Sequence, residues 1–302
     1  MSAASLGTPA AARPTGRVAA GRSALAAHAT ARGVLTYLAL VLFTLLFSLP
    51  TIWLLLTSFK TETEYGSYPI RILPDIPQTA NYVLAVTMFP FLKFFMNSVI
   101  LAGSYTVLVV LTSAAAGFGF SRHRGVAGRD GLFGVVLATM MVPQLVTLVP
   151  QYMLFSQLGL LNSYWPWILW GLHGSAFHIF LFRQFFAAIP RDLEDAAEVD
   201  GCGKFRIFWQ IFMPNSLPAV TASAIFSFTW VWGDWLYPKL FLNDQITTLA
   251  VRLATSYVNP QNLPLYTVTM AGVVLYVLPM VALFFLAQKY IIQGVVTTGL
   301  KG

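Results

Sequence analysis

The sequence predicts an all-α protein that crosses a membrane several times. Hydrophobic residues make up 57% of the chain and charged residues only 10%, whereas soluble domains carry roughly 25% charged residues. So little polar material cannot coat a water-soluble globule. The chain also contains long intervals without any charged residue, and a helical crossing needs about 20 apolar residues. Composition and interval length therefore predict a polytopic helical membrane protein.

Six crossings are predicted from these intervals. The longest, residues 131–182, has room for two crossings, and Gly159 and Asn162 supply turn-forming residues near its middle. The membrane domain is predicted to cover residues 33–302. The approximate spans are residues 34–58, 95–120, 132–156, 164–186, 217–236 and 266–288. An even number of spans places both termini on the same side.

The distribution of Lys and Arg predicts which side that is, because cytoplasmic flanks carry an excess of these residues. Thirteen Lys and Arg fall on the side of the two termini and of the loops after spans two and four, against five on the other side. Both termini are therefore predicted to be cytoplasmic. This asymmetry explains the net charge of +7, and no nucleic-acid partner is predicted.

Residues 1–32 contain no acid and are rich in Ala, Arg, Gly and Ser. Such a composition cannot bury a core, so we predict a disordered basic tail in the cytoplasm, with a transit peptide as the alternative. The single cysteine, Cys202, excludes an intrachain disulfide and a site with several cysteine ligands.

The loop at residues 187–216 gathers the acidic residues of the chain. Five of the eleven acids fall between Asp192 and Asp200. We predict a short helix with Asp192 as its N-cap and Asp195 three residues later, as in a capping box, and a left-handed C-cap at Gly201. A cytoplasmic loop with this much charge is predicted to contact a soluble protein.

A second helical segment is predicted after Gly203. Three aromatic residues at helical spacing, Phe205, Phe208 and Phe212, are expected to form one apolar face. Pro214 is expected to end the segment.

The spacing within this loop matches a known signature. It reads Asp195-Ala196-Ala197, three residues, Gly201, nine residues, Ile211, one residue, Met213-Pro214. In these positions the chain resembles the EAA signature of permease subunits from bacterial ATP-driven (ABC) importers, in particular the MalG-like carbohydrate branch. Runs at residues 141–144, 181–186, 230–234 and 301–302 extend the resemblance over nearly the whole length after the tail. Asp195 and Met213 replace the usual Glu and Leu, and Glu194 is expected to supply the longer carboxylate.

The resemblance implies a type I importer permease fold in the bacterial plasma membrane, with the acidic loop as a cytoplasmic coupling helix. It implies that this subunit pairs with a second, homologous permease and contacts two cytoplasmic ATPase subunits, which bind ATP and Mg. It also implies an extracytoplasmic binding protein, contact with membrane lipid and a carbohydrate solute. The implied coupling residues are Glu194, Asp195, Ala196, Ala197, Gly201, Ile211, Met213 and Pro214. Ala196 and Ala197 are expected to form a smooth face for the partner.

Polar residues inside spans mark either helix contacts or a solute route, because burying them in lipid is costly. The candidate pathway residues are Asn97, Gln144, Gln151, Trp230 and Asp234. Trp230 and Asp234 are expected to lie one turn apart on the same helix face, where an aromatic ring suits the apolar face of a sugar. The alternative is that the tryptophans of this region belong to an interfacial aromatic belt.

Two other classes of protein compete with an importer subunit. An ATP-independent carrier or channel for a small polar solute is expected to show paired charges inside its spans, and Asp234 is the one acid predicted there. A membrane enzyme needs a convergent nucleophile, base or metal set, whereas here the acids cluster in one loop. The run at residues 201–205 does not fit a phosphate-binding loop, because Glu198 and Phe205 replace its first Gly and its Ser or Thr. No catalytic, cofactor-binding or metal-binding residue is predicted.

Overall fold

A computed structural model describes the backbone of residues 16–123 and 125–299 and the side chains of residues 33–123 and 125–288. These residues form fifteen α-helices and one π-helical segment. The helices are α1 (Gly16–Ser58), α2 (Glu62–Tyr65), α3 (Ala80–Thr87), α4 (Phe91–Arg122), α5 (Arg129–Thr139), α6 (Gln144–Gln157), α7 (Trp165–Leu172), α8 (Ala176–Ala188), α9 (Arg191–Val199), α10 (Lys204–Ile207), α11 (Met213–Asn215), α12 (Leu217–Gly233), α13 (Leu236–Phe241), α14 (Leu249–Thr255) and α15 (Tyr266–Gly299). The π-helical segment, Phe208–Phe212, lies between α10 and α11.

Three of the described helices are long and apolar enough to cross a membrane: Gly33–Ser58 within α1, Phe91–Arg122, and Tyr266–Gln288 within α15. Two bent pairs raise the number to at most five, since α5 with α6 and Lys204–Asn215 with α12 meet the same criterion jointly. The region predicted as span four is divided between α7 and α8. The all-helical membrane fold follows from these helices, while the count of six spans stays a prediction.

The N-terminal helix α1 begins at Gly16, inside the segment predicted to be disordered. This segment is rich in alanine and arginine, which have high helix propensity, and this accounts for its helical conformation. Residues 1–15 of the predicted tail lie outside the described part. The chain divides into two compact units, one ending at Leu54 and the other beginning at Leu55.

The bend between α5 and α6 coincides with a proline. The two helices meet at 93°, and Pro143 takes an extended conformation (ψ 129°) immediately before α6. Proline lacks a backbone donor and its ring clashes with the preceding helical turn. Predicted span three therefore consists of two helices that are separated at this proline.

Helices α4 and α8 pack closely because Gly117 has no side chain. A Cβ atom at this position would lie 2.7 Å from the Cβ of Phe182 and 3.0 Å from the backbone nitrogen of Arg183. Only glycine permits this approach. The contact brings the end of α4 beside the end of α8, next to the acidic loop.

A core of aromatic residues connects α4 and α8 to the loop that follows. We call it the inner core; its central rings are Phe118, Phe182, Phe186, Phe208 and Phe212. The ring of Phe212 lies 4.8 Å from that of Phe118 and 5.4 Å from that of Phe186. Such edge-to-face pairs add roughly 0.5–1.5 kcal/mol each beyond area burial. The loop is therefore fixed to both helices by packing.

Candidate functional site

The candidate site is the segment formed by α9, α10, the π-helical segment and α11, which we call the elbow. Helix α9 begins at Arg191, with Pro190 at the N-cap position and no side-chain capping bond. The predicted N-cap at Asp192 and the predicted capping box are therefore wrong. Pro190 already has a helix-compatible φ of −56°, so the helix begins earlier than the polar residue suggests. Asp192 lies in the first turn, where the helix dipole still favours its charge.

The end of α9 confirms the predicted left-handed cap. Gly201 has φ +78°. Its N–H donates to the carbonyl of Glu198 (3.0 Å), and the N–H of Cys202 donates to the carbonyl of Ala197 (2.9 Å). These two bonds define a Schellman motif. A Cβ at Gly201 would meet nothing within 4 Å, so backbone conformation, and not lack of space, favours glycine here.

The second half of the elbow differs from the prediction. Phe208 and Phe212 are buried in the inner core, but Phe205 is 77% exposed, so the predicted face of three aromatics is wrong for Phe205. The turn at Phe208–Phe212 is π-helical, which widens the spacing and changes which side chains share a face. The helical run Lys204–Asn215 ends one residue after Pro214 and bends by 81° into α12, which agrees with the helix end predicted at this proline.

Arg122, the last residue of α4, contacts α8 and two parts of the elbow. Its Nη2 donates to the carbonyls of Phe186 and Ile189 at the end of α8, both at 2.6 Å. Its Nε lies 3.6 Å from Oε2 of Glu194, and its guanidinium carbon lies 4.6 Å from the ring centre of Phe212. The side chains of Arg122 and Glu194 are 5% and 10% exposed. This buried network joins α4, α8, α9 and the π-helical segment.

Glu194 also pairs with Lys204, the first residue of α10. Lys204 Nζ donates to Oε1 of Glu194 at 3.1 Å and also contacts the carboxylate of Glu198. The hydrogen bonds to Glu198 and then to Glu194 raise the pKa of the Lys204 amine above its usual value. Glu194 thus faces inward between two cations. The expectation that it supplies a carboxylate to a partner is wrong, and Asp195 is the exposed acid of the pair.

Several apolar side chains of the elbow are exposed. Val199 is 89% exposed and Trp209 is 41% exposed. The ring centres of Phe205 and Trp209 lie 6.2 Å apart, in an edge-to-face arrangement. We call Ala196, Val199, Phe205 and Trp209 the elbow surface. Ala197 is buried in the inner core, so of the two alanines predicted to form a smooth face only Ala196 is exposed. Exposed apolar residues of this size are typical of contact surfaces.

Two of the remaining signature residues pack against the inner core. Ile211 and Met213 are half-buried against the inner core, and Pro214 is exposed. The structure therefore divides the predicted coupling residues into an exposed set and a set that anchors the elbow.

Within the described part of the chain, none of the five predicted pathway residues is hydrogen-bonded directly to another. Helix α12 ends at Gly233, and Asp234 has an extended conformation (ψ 122°). The prediction that Trp230 and Asp234 share a helix face is therefore wrong. Asp234 Oδ1 accepts hydrogen bonds from the N–H groups of Leu236 (3.0 Å) and Tyr237 (3.2 Å), the first two residues of α13. This acid caps a helix, which explains why an acid occurs in this apolar region.

Three of the other candidates take part in hydrogen bonds within the protein. Asn97 Nδ2 donates to the carbonyl of Thr247 at 3.0 Å, and Gln151 Nε2 donates to Oγ1 of Thr147 at 3.1 Å. The carbonyl of Gln144 accepts from the hydroxyl of Tyr237 at 3.4 Å. Trp230 is 62% exposed. A solute route through these residues stays a prediction.

One buried polar cluster was not predicted as a unit. His178 of α8 is hydrogen-bonded through Nδ1 to Ser223 Oγ (3.1 Å) and through Nε2 to Ser227 Oγ (2.9 Å). The two serines lie four residues apart on α12, and this spacing within an apolar span was the available signal. The cluster joins α8 to α12.

Comparison with known proteins identifies the family. A family model described as the inner membrane component of binding-protein-dependent transport systems matches residues 108–297. This chain belongs to that family. The resemblance read from the elbow signature is thereby confirmed, and membership agrees with the apolar helices described above.

Individual relatives extend the match to most of the chain. The arabinooligosaccharide permease AraQ of Bacillus subtilis is 34% identical over 87% of this chain and 93% of its own length. The diacetylchitobiose permease NgcG of Streptomyces coelicolor is 31% identical over 85% of each chain. A chain of a bacterial ABC transporter that imports the acidic polysaccharide alginate has a similar fold, with a TM-score of 0.72 and 22% identity over 86% of this chain and 96% of its own.

Proposed function

We propose that this chain is a transmembrane permease subunit of an ATP-driven, binding-protein-dependent carbohydrate importer. It forms the solute pathway with a second permease, both termini are cytoplasmic, and an extracytoplasmic binding protein delivers the solute. Two ATPase subunits bind ATP and Mg, and this chain binds neither. The observation that carries the proposal is the elbow: an exposed apolar surface on a short helix that is fixed from inside by a buried ion pair.

The buried network around Arg122 provides a route by which movement of α9 reaches α4 and α8. Arg122 is the last residue of α4, and the two carbonyls that it contacts end α8. Because Glu194 binds the same arginine, a displacement of α9 is passed to the ends of both helices. A rigid segment between a moving partner and the spans is what alternating access requires. The ATPase subunits would thus change the permease through α9.

A carbohydrate is proposed as the solute because relatives along most of the chain are named for sugars. The names specify diacetylchitobiose, arabinooligosaccharides and lactose, which leaves mono-, di- and oligosaccharides open. Asn97, Gln144, Gln151, Trp230 and Asp234 remain the proposed polar and aromatic lining of the route. Their amides, carboxylate and ring suit hydroxyl groups and apolar sugar faces.

Replacing Val199 and Phe205 by Glu is expected to reduce co-purification of the ATPase subunits in mild detergent. Charges at the most exposed apolar positions of the elbow oppose their burial in a partner. Replacing interface residues of this kind typically costs about 2 kcal/mol or more of binding free energy. The affinity for the ATPase subunits should therefore fall tenfold or more. Tyr68→Glu is the matched control, because Tyr68 is 96% exposed but lies between spans one and two. Retention of the ATPase by the double variant would contradict the proposal.

A second experiment separates an importer from an ATP-independent carrier. The chain purified without ATPase subunits is reconstituted in liposomes and sugar uptake is measured. We expect no uptake above empty liposomes. Uptake by the chain alone would establish the carrier and remove the proposed role of the elbow.

A further inference from the structure

A cavity separate from the elbow surface lies where α4, α5 and α8 meet. Its volume is about 420 Å³. It is lined by Phe120, Ser121, Arg129, Arg183, Gln184 and Ala187. Both arginines are among the thirteen cations assigned to the predicted cytoplasmic side, so the cavity lies at the proposed cytoplasmic ends of these helices.

The cavity has an excess of positive charge. Arg129 and Arg183 share one acid, Asp130: Arg129 Nη2 lies 2.6 Å and Arg183 Nη2 lies 3.8 Å from the same Oδ1. The side chain of Asp130 is 73% exposed, whereas those of Arg129 and Arg183 are 15% and 28% exposed. The acid is therefore hydrated and the two cations are sheltered. A single exposed carboxylate does not neutralise two guanidinium groups.

Arg183 is held in place by an aromatic ring. Its guanidinium carbon lies 3.9 Å from the ring centre of Phe133, and Phe133 packs against Phe120 with ring centres 5.3 Å apart. Stacking orients a guanidinium and lowers the entropy lost when it binds an anion. The amide of Gln184 adds a neutral hydrogen-bonding group to the lining. Guanidinium groups of this kind match the geometry of a phosphate.

The surface next to the cavity is apolar. On α5, Leu132 and Val135 follow Arg129 and are 59% and 62% exposed. We propose that the cavity binds the phosphate group of an anionic phospholipid, with the lipid chains along Leu132 and Val135. Basic pockets between membrane helices at the cytoplasmic surface suit such headgroups. The site rests on the proposed orientation of the chain and not on ATPase coupling. A soluble phosphate presents the same anionic group to the arginines, but it has no acyl chains to contact the apolar surface.

The test measures which lipids stay bound to the full chain. The chain is extracted with its partners and reconstituted in nanodiscs of phosphatidylcholine with a minor fraction of phosphatidylglycerol, and retained lipids are counted by native mass spectrometry. Enrichment of phosphatidylglycerol is expected for the unmodified chain. Arg129→Gln with Arg183→Gln should lower this enrichment on the order of tenfold, since each cation near the surface contributes about 1 kcal/mol.

Two further variants make the result specific. Asp130→Asn keeps both arginines and should increase the enrichment, a gain that a misfolded chain cannot produce. Arg71→Gln is the matched control, because Arg71 also pairs with a nearby acid, Asp75, and it should change nothing. The proposal is overturned if the double variant and Asp130→Asn both retain the original enrichment, or if Arg71→Gln lowers it equally.

A last arm separates the two sources of phosphate. Inorganic phosphate and phosphatidylglycerol are each tested for protection of the cavity arginines from phenylglyoxal, with the modified residues identified by mass spectrometry. Protection by phosphatidylglycerol supports the proposal. Protection by inorganic phosphate alone would overturn the assignment to a lipid.

Discussion

Arg122→Ala is expected to abolish sugar uptake while leaving the chain in the membrane. The substitution leaves Glu194 buried without its guanidinium partner and removes the donors to two carbonyls at the end of α8. Breaking a buried ion pair costs about 3–5 kcal/mol, equivalent to a hundredfold or more in an equilibrium constant. The elbow would then move without displacing α4 and α8. Uptake and ATP hydrolysis, measured on the same reconstituted transporter, should show hydrolysis that no longer depends on solute.

The controls for Arg122 distinguish coupling from folding. Arg191→Ala removes an exposed arginine at the start of α9 and should leave uptake unchanged. Arg122→Lys keeps one charge but not the forked donors, so partial recovery is expected. Normal uptake by Arg122→Ala would show that the buried network does not carry the movement.

Gly201→Val is expected to reduce uptake about tenfold or more. The φ of +78° is unfavourable for any L-residue by roughly 1–2 kcal/mol, and more so for a β-branched one. The Schellman bonds that end α9 would be distorted, and the direction in which α10 leaves would change. Initial uptake rates in membrane vesicles, normalised to the amount of inserted chain, provide the measurement.

Matched variants test whether conformation is the cause. Gly201→Asn should retain most uptake, because asparagine tolerates the left-handed region. Gly203→Val should also be tolerated, since Gly203 has φ −71° and ψ 159°, which valine adopts readily. Equal losses at all three variants would mean that the size of the side chain, and not backbone conformation, determines the effect.

The sequence predicts those parts of the fold that depend on local chemistry. The turn at Gly201 depends on a property of a single residue, its tolerance of a left-handed φ, and it is found. The membrane class follows from composition in the same way. The elbow was located by the spacing of its signature residues.

The wrong predictions depend on helix register and helix ends. The aromatic face with Phe205 assumes regular α-helical spacing, and the π-helical turn at Phe208–Phe212 changes that spacing. The pairing of Trp230 with Asp234 assumes a helix that in fact ends at Gly233. Neither a π-helical turn nor an early helix end has a strong local signal in an apolar segment.

The Arg122 network could not be predicted, because its members are distant in sequence. Arg122 ends α4 and Glu194 lies in α9, and only the close packing of α4 on α8 brings them together. From sequence, Arg122 is one of thirteen cations that indicate orientation. Its specific role depends on tertiary structure.

Cross-linking from the elbow tests the coupling role most directly. In a Cys202→Ala background, single cysteines are introduced at Val199 and Phe205, with one at Tyr68 for comparison. A short bifunctional reagent is then applied to membranes that contain the whole transporter. The account predicts adducts between the elbow cysteines and the ATP-hydrolysing subunit, in yields that change when nucleotide is added. ATPase adducts no more frequent from the elbow than from Tyr68 would contradict it.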